Sequence, residues 1–387
     1  MIRVGFILTF DATGWLGGIS YFRNLLGALM ALPGRTVEPV ILAGARTDAS
    51  VLAAFPRVQI VRSSLLDGGS TPFTLRRLVA KLLSRDVALE GLLRRNNIRA
   101  LSHQGFFAGL GRIPVLGWIP DFQEKHFPNF FSAAELRARA RKQALMSRVC
   151  SRLLLSSHDA QLDLQSIDPE CAARGRVLQF VADVAALAPE EALTTARELG
   201  VDGPYFHLPN QFWVHKNHVV VVEALRVLKE RGETTRVIAT GNTGDHRQPG
   251  EFKALMRRVE AAGVADGFLT VGVLPHHKVM ALMADSVAVI NPSRFEGWST
   301  TVEEAKSLGK KILLSDLRVH REQAPSRAHY FMPDDAERLA GLMTDALQAH
   351  DHALETGAML AAQGQLPQRR QQFAERYQAI VMELIQP

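Results

Sequence analysis

The chain of 387 residues holds only two cysteines, Cys150 and Cys171. Two thiols cannot build a disulfide scaffold, so a cross-linked extracellular module is excluded and a reducing compartment is expected. No uninterrupted apolar run of about 18 residues exists, which predicts no membrane-crossing helix. Ile2 to Phe10 is apolar, but Asp11 follows at once without a small-residue cleavage site. That segment reads as a first strand rather than a signal peptide, and a cytoplasmic location is expected. Repeats with a period of roughly 20–50 residues are missing, as are low-complexity tracts. Charged residues are 22% and hydrophobic ones 47% of the chain, a balance that excludes extensive disorder.

What is present is enough chain for two domains. The formal net charge of +6 is unevenly placed. Residues 1–190 carry 23 Lys and Arg against 15 Asp and Glu, and the remainder 22 against 24. A basic first half suits an anionic lipid surface or an acidic substrate, or is simply a solvated helix surface. Two stretches concentrate it: Arg76, Arg77, Lys81 and Arg85, and Arg137, Arg139, Arg141 and Lys142. Peripheral contact with an anionic membrane at its inner face is the expectation they raise. A nucleic-acid reader is disfavoured, because no aromatic platform interleaves the basic residues.

Apolar periodicity alternates between strand and helix twice along the chain. In the first half Arg3–Phe10, Val37–Ala43 and Val115–Ile119 read as strands. Ile19–Leu32, Thr74–Asn96 and Ala133–Val149 read as helices. In the second half the strands are Tyr205–Leu208, Arg236–Thr240, Phe268–Val271, Val287–Ile290 and Lys311–Leu314, with helices between them. Strands alternating with helices predict parallel sheets covered on both faces, hence two doubly wound α/β domains. The expected division is 1–190, 191–365 and a terminal helix in 366–387.

Three segments carry candidate chemistry. Thr13 to Ile19 places Gly14, Gly17 and Gly18 between a strand and a helix, where backbone N–H groups and the helix dipole favour a phosphate. A plain tight turn fits as well. The spacing is not G-x-G-x-x-G, and Leu42-Ala43-Gly44 supplies no ribose-binding carboxylate, so a nicotinamide dinucleotide is disfavoured. In Asn210 to His218, Lys216 stands at a helix start, where a cation is unfavourable unless a bound diphosphate compensates. An exposed loop lysine is the bland alternative. His215 and His218 read as loop and cap residues, since no carboxylate or cysteine cluster joins them. The third segment, Asn291 to Ala305, is the most informative. Glu296 lies beyond a strand's carboxyl end, and Glu304 lies one turn inside the next helix. Paired carboxylates suit the vicinal hydroxyls of sugars. Thr300 with Glu303, or Thr301 with Glu304, also has capping-box spacing.

Glu296-x7-Glu304, with Asn291-Pro292-Ser293 before it and Val319-His320-Arg321-Glu322 after it, resembles the family-4 retaining glycosyltransferases of the GT-B fold. The His215–His218 segment and Gly17-Gly18 resemble that family's other two signatures, in the same order. The resemblance implies a GT-B fold, two Rossmann-like domains facing across a cleft that holds a nucleotide-diphosphate sugar. It implies that Glu304 binds the ribose, Glu296 the sugar hydroxyls and Lys216 the diphosphate. Gly18, beside Gly17, would cover the phosphate. Gly297, Trp298, Ser299 and Thr300 would line the donor, and backbone near Val273–Leu274 would contact the base. No metal or other cofactor is implied. The terminal helix would cross back to the first domain.

Two departures stand out. Asn210 or Gln211 occupies the place of a basic residue that often precedes the phosphate lysine. Pro120 replaces the histidine of a His-Asp pair, leaving Asp121. Asp121, His103 and His126 are therefore the acceptor-side candidates, with Glu296, Asp121 and Lys216 as catalytic candidates. The segment from Trp118 to Phe131 resembles bacterial enzymes that build mannose- or rhamnose-containing surface polysaccharide, so GDP-mannose is the first donor guess. The expected reaction moves a hexosyl group to a hydroxyl of a glycan or lipid-linked acceptor. The alternatives are a sugar-nucleotide epimerase of the same fold and a non-catalytic sugar-binding protein.

Overall fold

The computed structural model describes residues 1–8, 16–104, 108–185, 189–245 and 248–386. Among them the chain divides into two compact units, Met1–Val181 with Gln368–Pro387, and Ala182–Pro367. The first unit thus closes nine residues before the expected position 190.

The first unit is built on a parallel sheet in the order β3-β2-β1-β4-β5-β6-β7. Its strands are β1 (Ile2–Ile7), β2 (Val37–Gly44), β3 (Gln59–Ser63), β4 (Ala100–Ser102), β5 (Val115–Ile119), β6 (Arg152–Leu155) and β7 (Gly175–Val177). The second unit orders its strands β10-β9-β8-β11-β12-β13. These are β8 (Phe206–Leu208), β9 (Val237–Thr240), β10 (Phe268–Gly272), β11 (Val289–Asn291), β12 (Ile312–Ser315) and β13 (Ala328–Phe331). Central strands such as β8, β9, β11 and β12 are buried along their whole length, as helices on both faces require. In each sheet the strand order reverses once, between β1 and β4 and between β8 and β11. Ligands of open α/β sheets bind outside the carboxyl ends of strands at such a reversal.

The long helix expected over Thr74–Asn96 is two helices, Thr71–Leu83 and Val87–Arg95. Ser84 takes a left-handed conformation, φ 49°, which ends the first. The Asp86 carboxylate accepts from the Leu89 N–H at 3.1 Å and starts the second. Apolar spacing alone ran across this break because both helices share one periodicity.

The final helix spans His352–Ile385, starting upstream of the expected 366, with Pro367 inside it. Pro367 and Gln368 are also where the two units divide. Beyond that point Phe373, Ala374, Tyr377, Ile380, Val381 and Leu384 are buried, a helical stripe that belongs to the first unit's core. The Tyr377 ring lies 6.0 Å from that of Phe6, and its hydroxyl donates to Ser102 Oγ at 2.9 Å. Arg176 and Glu383 add an ion pair at 2.7 Å.

Truncating Tyr377 empties a fully buried site. Tyr377→Ala is expected to destabilise the first unit by about 3–5 kcal/mol. Tyr377→Phe, which loses only the hydrogen bond, is expected to cost about 1 kcal/mol. Urea denaturation checks the order; equal midpoints for both variants and the parent contradict it.

Candidate active site

The second unit's chemistry gathers at the β8/β11 reversal. The chain leaves β8 through Pro209 to Trp213 and makes a 3-10 turn, Val214–Lys216, before the helix His218–Glu230. It leaves β11 through Pro292 to Ser299 and enters the helix Thr300–Leu308. These two loops hold each other. The Arg294 N–H donates to the His215 carbonyl at 2.8 Å. Asn217 sits in a left-handed conformation, φ 57°, and its amide donates to the carbonyls of Pro292 at 3.0 Å and Pro333 at 2.7 Å. Asn210 Nδ2 lies 3.5 Å from Asn291 Oδ1, joining the strand ends directly. Gly241 is needed for this approach: a Cβ there would stand 2.4 Å from the Asn210 carbonyl oxygen.

Lys216 Nζ lies 2.7 Å from Glu296 Oε1, so the structure brings two of the predicted residues into contact. Their side chains are 14% and 9% exposed, so the pair is largely out of water. Ser293 Oγ approaches the same Glu296 oxygen at 2.7 Å and Asn291 Oδ1 at 2.8 Å. Burial works against the Glu296 charge, but the Lys216 ammonium, with the hydrogen bonds from Lys216 and Ser293, outweighs it and holds its carboxyl below the usual range. His320 is fully buried. Its Nδ1 donates to the Ser315 carbonyl at 2.8 Å, which makes Nε2 the ring's acceptor, and that buried atom has no hydrogen-bond partner. Burial lowers the His320 pKa, so the ring next to the Glu296 charge is neutral near pH 7.

Glu304 is placed differently. It is buried on the inner side of its helix, and His276 Nε2 lies 2.9 Å from its Oε1. Neither capping-box pairing forms. Ser299 is the N-cap, without a side-chain cap bond. Glu303 is turned to Gln323 and Lys306 instead, at 3.1 Å and 3.3 Å. The Gln323 amide clamps Ser299 from both sides, accepting from its N–H at 3.1 Å and donating to its carbonyl at 3.0 Å. The N–H of Ser299, one of the residues expected to line the donor, is thereby taken. Thr301 Oγ1 donates to the Pro209 carbonyl at 3.2 Å and ties this helix to the β8 loop.

The other predicted donor-side positions are spread around this centre. Gln211, Gly297, Trp298 and Thr300 are half-buried. Val273 is exposed beyond β10, while Leu274 packs on a small cluster with Val201, Tyr205 and Leu282. His215 and His218 are both buried. His218 stacks on Phe212 at 4.4 Å, and burial pushes its pKa down to about 3.

The remaining candidates lie in the first unit. Gly17 and Gly18 are in the first turn of the helix Leu16–Ala31, whereas Thr13, Gly14 and Trp15 fall outside the described residues. His103 is buried after β4 with φ 62°. Its ring nitrogens contact Tyr21 Oη at 2.8 Å and Ser102 Oγ at 2.7 Å, leaving neither for an acceptor hydroxyl. Burial pushes its pKa down to about 3. His126 Nε2 lies 2.7 Å from Asp163 Oδ2, which also pairs with Lys125. Asp121 follows β5 and accepts from the Gln123 N–H at 3.0 Å.

His276 and Gln323 are site-shaping residues that the sequence did not single out, and Ser293 entered only within the Asn291-Pro292-Ser293 motif. His276 had a positional hint, two residues after Leu274. Gln323 had none, since its contact with Ser299 depends on how the helix Arg318–Gln323 packs. Among the described residues no group of three or more His, Cys, Asp or Glu is placed to hold a metal ion.

The lowered Glu296 pKa sets a pH dependence. A depressed carboxyl contributes stability above its unfolded value of about 4.5 and loses it as pH falls through the folded value. Lys216→Met leaves Glu296 buried without its ammonium. That variant is expected to lose about 3 kcal/mol at pH 7. The deficit should shrink below about pH 4.5, where the carboxyl protonates. Thermal denaturation from pH 3 to 8 tests this, and a deficit that is constant over the range contradicts it.

Comparison with known proteins places this geometry. Residues 197–359 match the family model described as Glycosyl transferases group 1. No curated protein sequence matches the chain at a significant level. Among solved structures, HepE from Anabaena, crystallised with UDP and glucose, superposes with a TM-score of 0.71 at 16% identity, over 99% of this chain and 100% of that one. The glycosyltransferase WaaG, described as involved in lipopolysaccharide biosynthesis, gives 0.60 at 15% identity, over 98% and 99%. Sucrose-phosphate synthase from Thermosynechococcus elongatus gives 0.63 at 14% identity, over 99% and 97%. At such identities the likeness establishes the fold. Residues 197–359, which match the glycosyl transferases group 1 model, hold Lys216, Glu296 and Glu304, within a chain of the GT-B fold.

Proposed function

We propose that this protein transfers a hexosyl group from a nucleotide-diphosphate sugar to a hydroxyl of a glycan or lipid-linked acceptor, retaining the anomeric configuration. The observation that supports this best is the Lys216–Glu296 pair at the β8/β11 reversal. A cation and a carboxylate side by side match a ligand whose phosphate adjoins a polyhydroxylated ring. An ammonium has three donors and Glu296 takes one, so Lys216 keeps two for a diphosphate. Both contacts to Glu296 fall on Oε1, so Oε2 is the oxygen for sugar hydroxyls. Glu304 would accept from ribose hydroxyls in exchange for, or together with, His276. Asn210 and Gln211 stand where a second cation would share the phosphate charge. Their neutrality leaves that charge to Lys216 and to backbone N–H groups.

In such a transfer the bond between the anomeric carbon and the phosphate oxygen breaks, and the acceptor oxygen forms the new one. Negative charge grows on the departing diphosphate as the sugar becomes oxocarbenium-like. A cation already fixed by Glu296 stabilises that charge without reorganising. The departing phosphate takes the acceptor's proton, which leaves Glu296 ionised throughout, as its lowered pKa permits.

HepE has been crystallised with UDP-glucose, so UDP sugars stand beside GDP-mannose as first donors to try. A thermal-shift screen of nucleotide diphosphates and their sugars, followed by turnover with hydroxyl acceptors, tests the reading. Stabilisation by a diphosphate sugar and product of unchanged anomeric configuration by NMR are expected. An epimerised donor formed without acceptor points to the epimerase, and binding without turnover to a sugar-binding protein. Lys216→Ala is expected to lower kcat about 10²–10³-fold while weakening donor binding much less. Unchanged kcat at saturating donor removes Lys216 from this role.

A further inference from the structure

The basic first half has a structural focus that its charge count does not show. The helix Thr71–Leu83 buries Arg76 and Ala80 and turns the opposite face outward. Leu75, Leu78 and Leu82, at helical spacing, are 60%, 55% and 82% exposed, and Leu83 beside them 58%. Val87, at the start of the next helix, is exposed as well. Solvated helices do not ordinarily present four leucines to water.

The charges around this face are of one sign. Arg77 and Lys81 are exposed on the same helix. They line an open cavity of about 1140 Å³ with Arg112, Arg148, Phe73 and Leu78. The helix itself contains no acid. The three acids nearest it in the chain are buried and committed: Asp67 accepts from the Arg46 N–H at 3.0 Å. Asp86 pairs with Arg76 at 2.9 Å. Glu90 pairs with Arg85 at 2.7 Å and with Arg94 at 2.5 Å. Five residues of the basic stretches read from the sequence are thus sorted. Arg76 and Arg85 are neutralised internally. Arg139 is committed to Glu124 and to the Phe131 ring. Arg77, Lys81, Arg112 and Arg148 are the cations at the cavity.

We propose that this face of the first unit docks on a bilayer surface containing anionic lipid, with Leu75, Leu78, Leu82 and Leu83 entering the headgroup–acyl boundary and Arg77, Lys81, Arg112 and Arg148 meeting lipid phosphates. An amphipathic helix with leucines on one face and flanking cations has the chemistry of an interfacial anchor. Among the described residues no helix is long and apolar enough to cross a membrane, so the attachment is peripheral. A second copy of the chain is a poorer occupant, because it would set one group of cations against the same group. The proposal stands apart from the donor site and uses none of its residues.

Co-sedimentation of the full chain with phosphatidylcholine vesicles, with and without about one-third phosphatidylglycerol, tests it. Binding to the anionic vesicles alone is expected, weakening as salt rises. Leu78→Glu/Leu82→Glu and Arg77→Glu/Lys81→Glu should each weaken it at least about tenfold. Arg257→Glu/Arg258→Glu, the same charge change on an exposed helix of the second unit, should leave it within about twofold. All substituted side chains are exposed, so the variants should fold, and matched thermal transitions with the parent verify this. Three results overturn the proposal: no vesicle binding by the parent chain, equal loss in the second-unit control, or a dimer in light scattering that Leu78→Glu/Leu82→Glu dissolves while vesicle binding is unchanged.

Discussion

The second unit depends on bringing an ammonium and a carboxylate together where the strand order reverses. Two loops leave neighbouring strands there and must be fixed against each other, because neither is regular structure. The protein fixes them with backbone and amide contacts rather than apolar packing: Arg294 to His215, and Asn217 to Pro292 and Pro333. Asn217 does two things at once. Its left-handed backbone turns the chain into the helix, and its side chain spans three loops. Glycine would tolerate the turn but supply no amide. Only with this scaffold in place do Lys216 and Glu296, 80 residues apart, meet at 2.7 Å.

The same scaffold makes the site costly in itself. Glu296 stays charged despite burial because the Lys216 ammonium, with the hydrogen bonds from Lys216 and Ser293, outweighs desolvation. An unpartnered buried Nε2 on His320 is a further cost that packing must cover. Structures retain such arrangements where a ligand uses them. The first unit offers a contrast at its own reversal. There His103 is closed in by Tyr21 and Ser102 within an aromatic cluster of Phe6, Phe22, Trp118 and Tyr377. That histidine has the surroundings of a packing residue.

Much of this was legible in the sequence because it rests on local pattern. Buried parallel strands are mostly apolar runs, and the readings Tyr205–Leu208 and Lys311–Leu314 lie within a residue of Phe206–Leu208 and Ile312–Ser315. Lys216, Glu296 and Glu304 were visible because each lies in a loop after a strand or one turn into the helix that follows, near where open α/β sheets place ligands. Strands β3, β6, β7 and β13 were not seen. All are short; β3, β7 and β13 are edge strands, where Gln59–Ser63 is half exposed and shows no apolar run, while β6 lies inside its sheet with only the three-residue run Leu153–Leu155 buried. The break at Ser84 was missed because the apolar spacing carries across the backbone sign change, and the Asp86 cap behind it was not read as a helix start. The capping-box reading of Thr300 and Thr301 failed for another reason. Local spacing proposes partners, but a distant Gln323 made better ones.

The course of the final helix bears on how the polypeptide is made. The second unit is continuous, Ala182–Pro367, whereas the first needs residues 368–387 to complete its core. On the ribosome, chains emerge from the N-terminal end and domains fold as units. The first sheet must therefore wait, its Phe6 and Ser102 surface uncovered, while everything the second sheet requires is still being translated. Translation order and the order in which the two halves finish folding run in opposite directions, and the nascent first half is the segment that needs shielding.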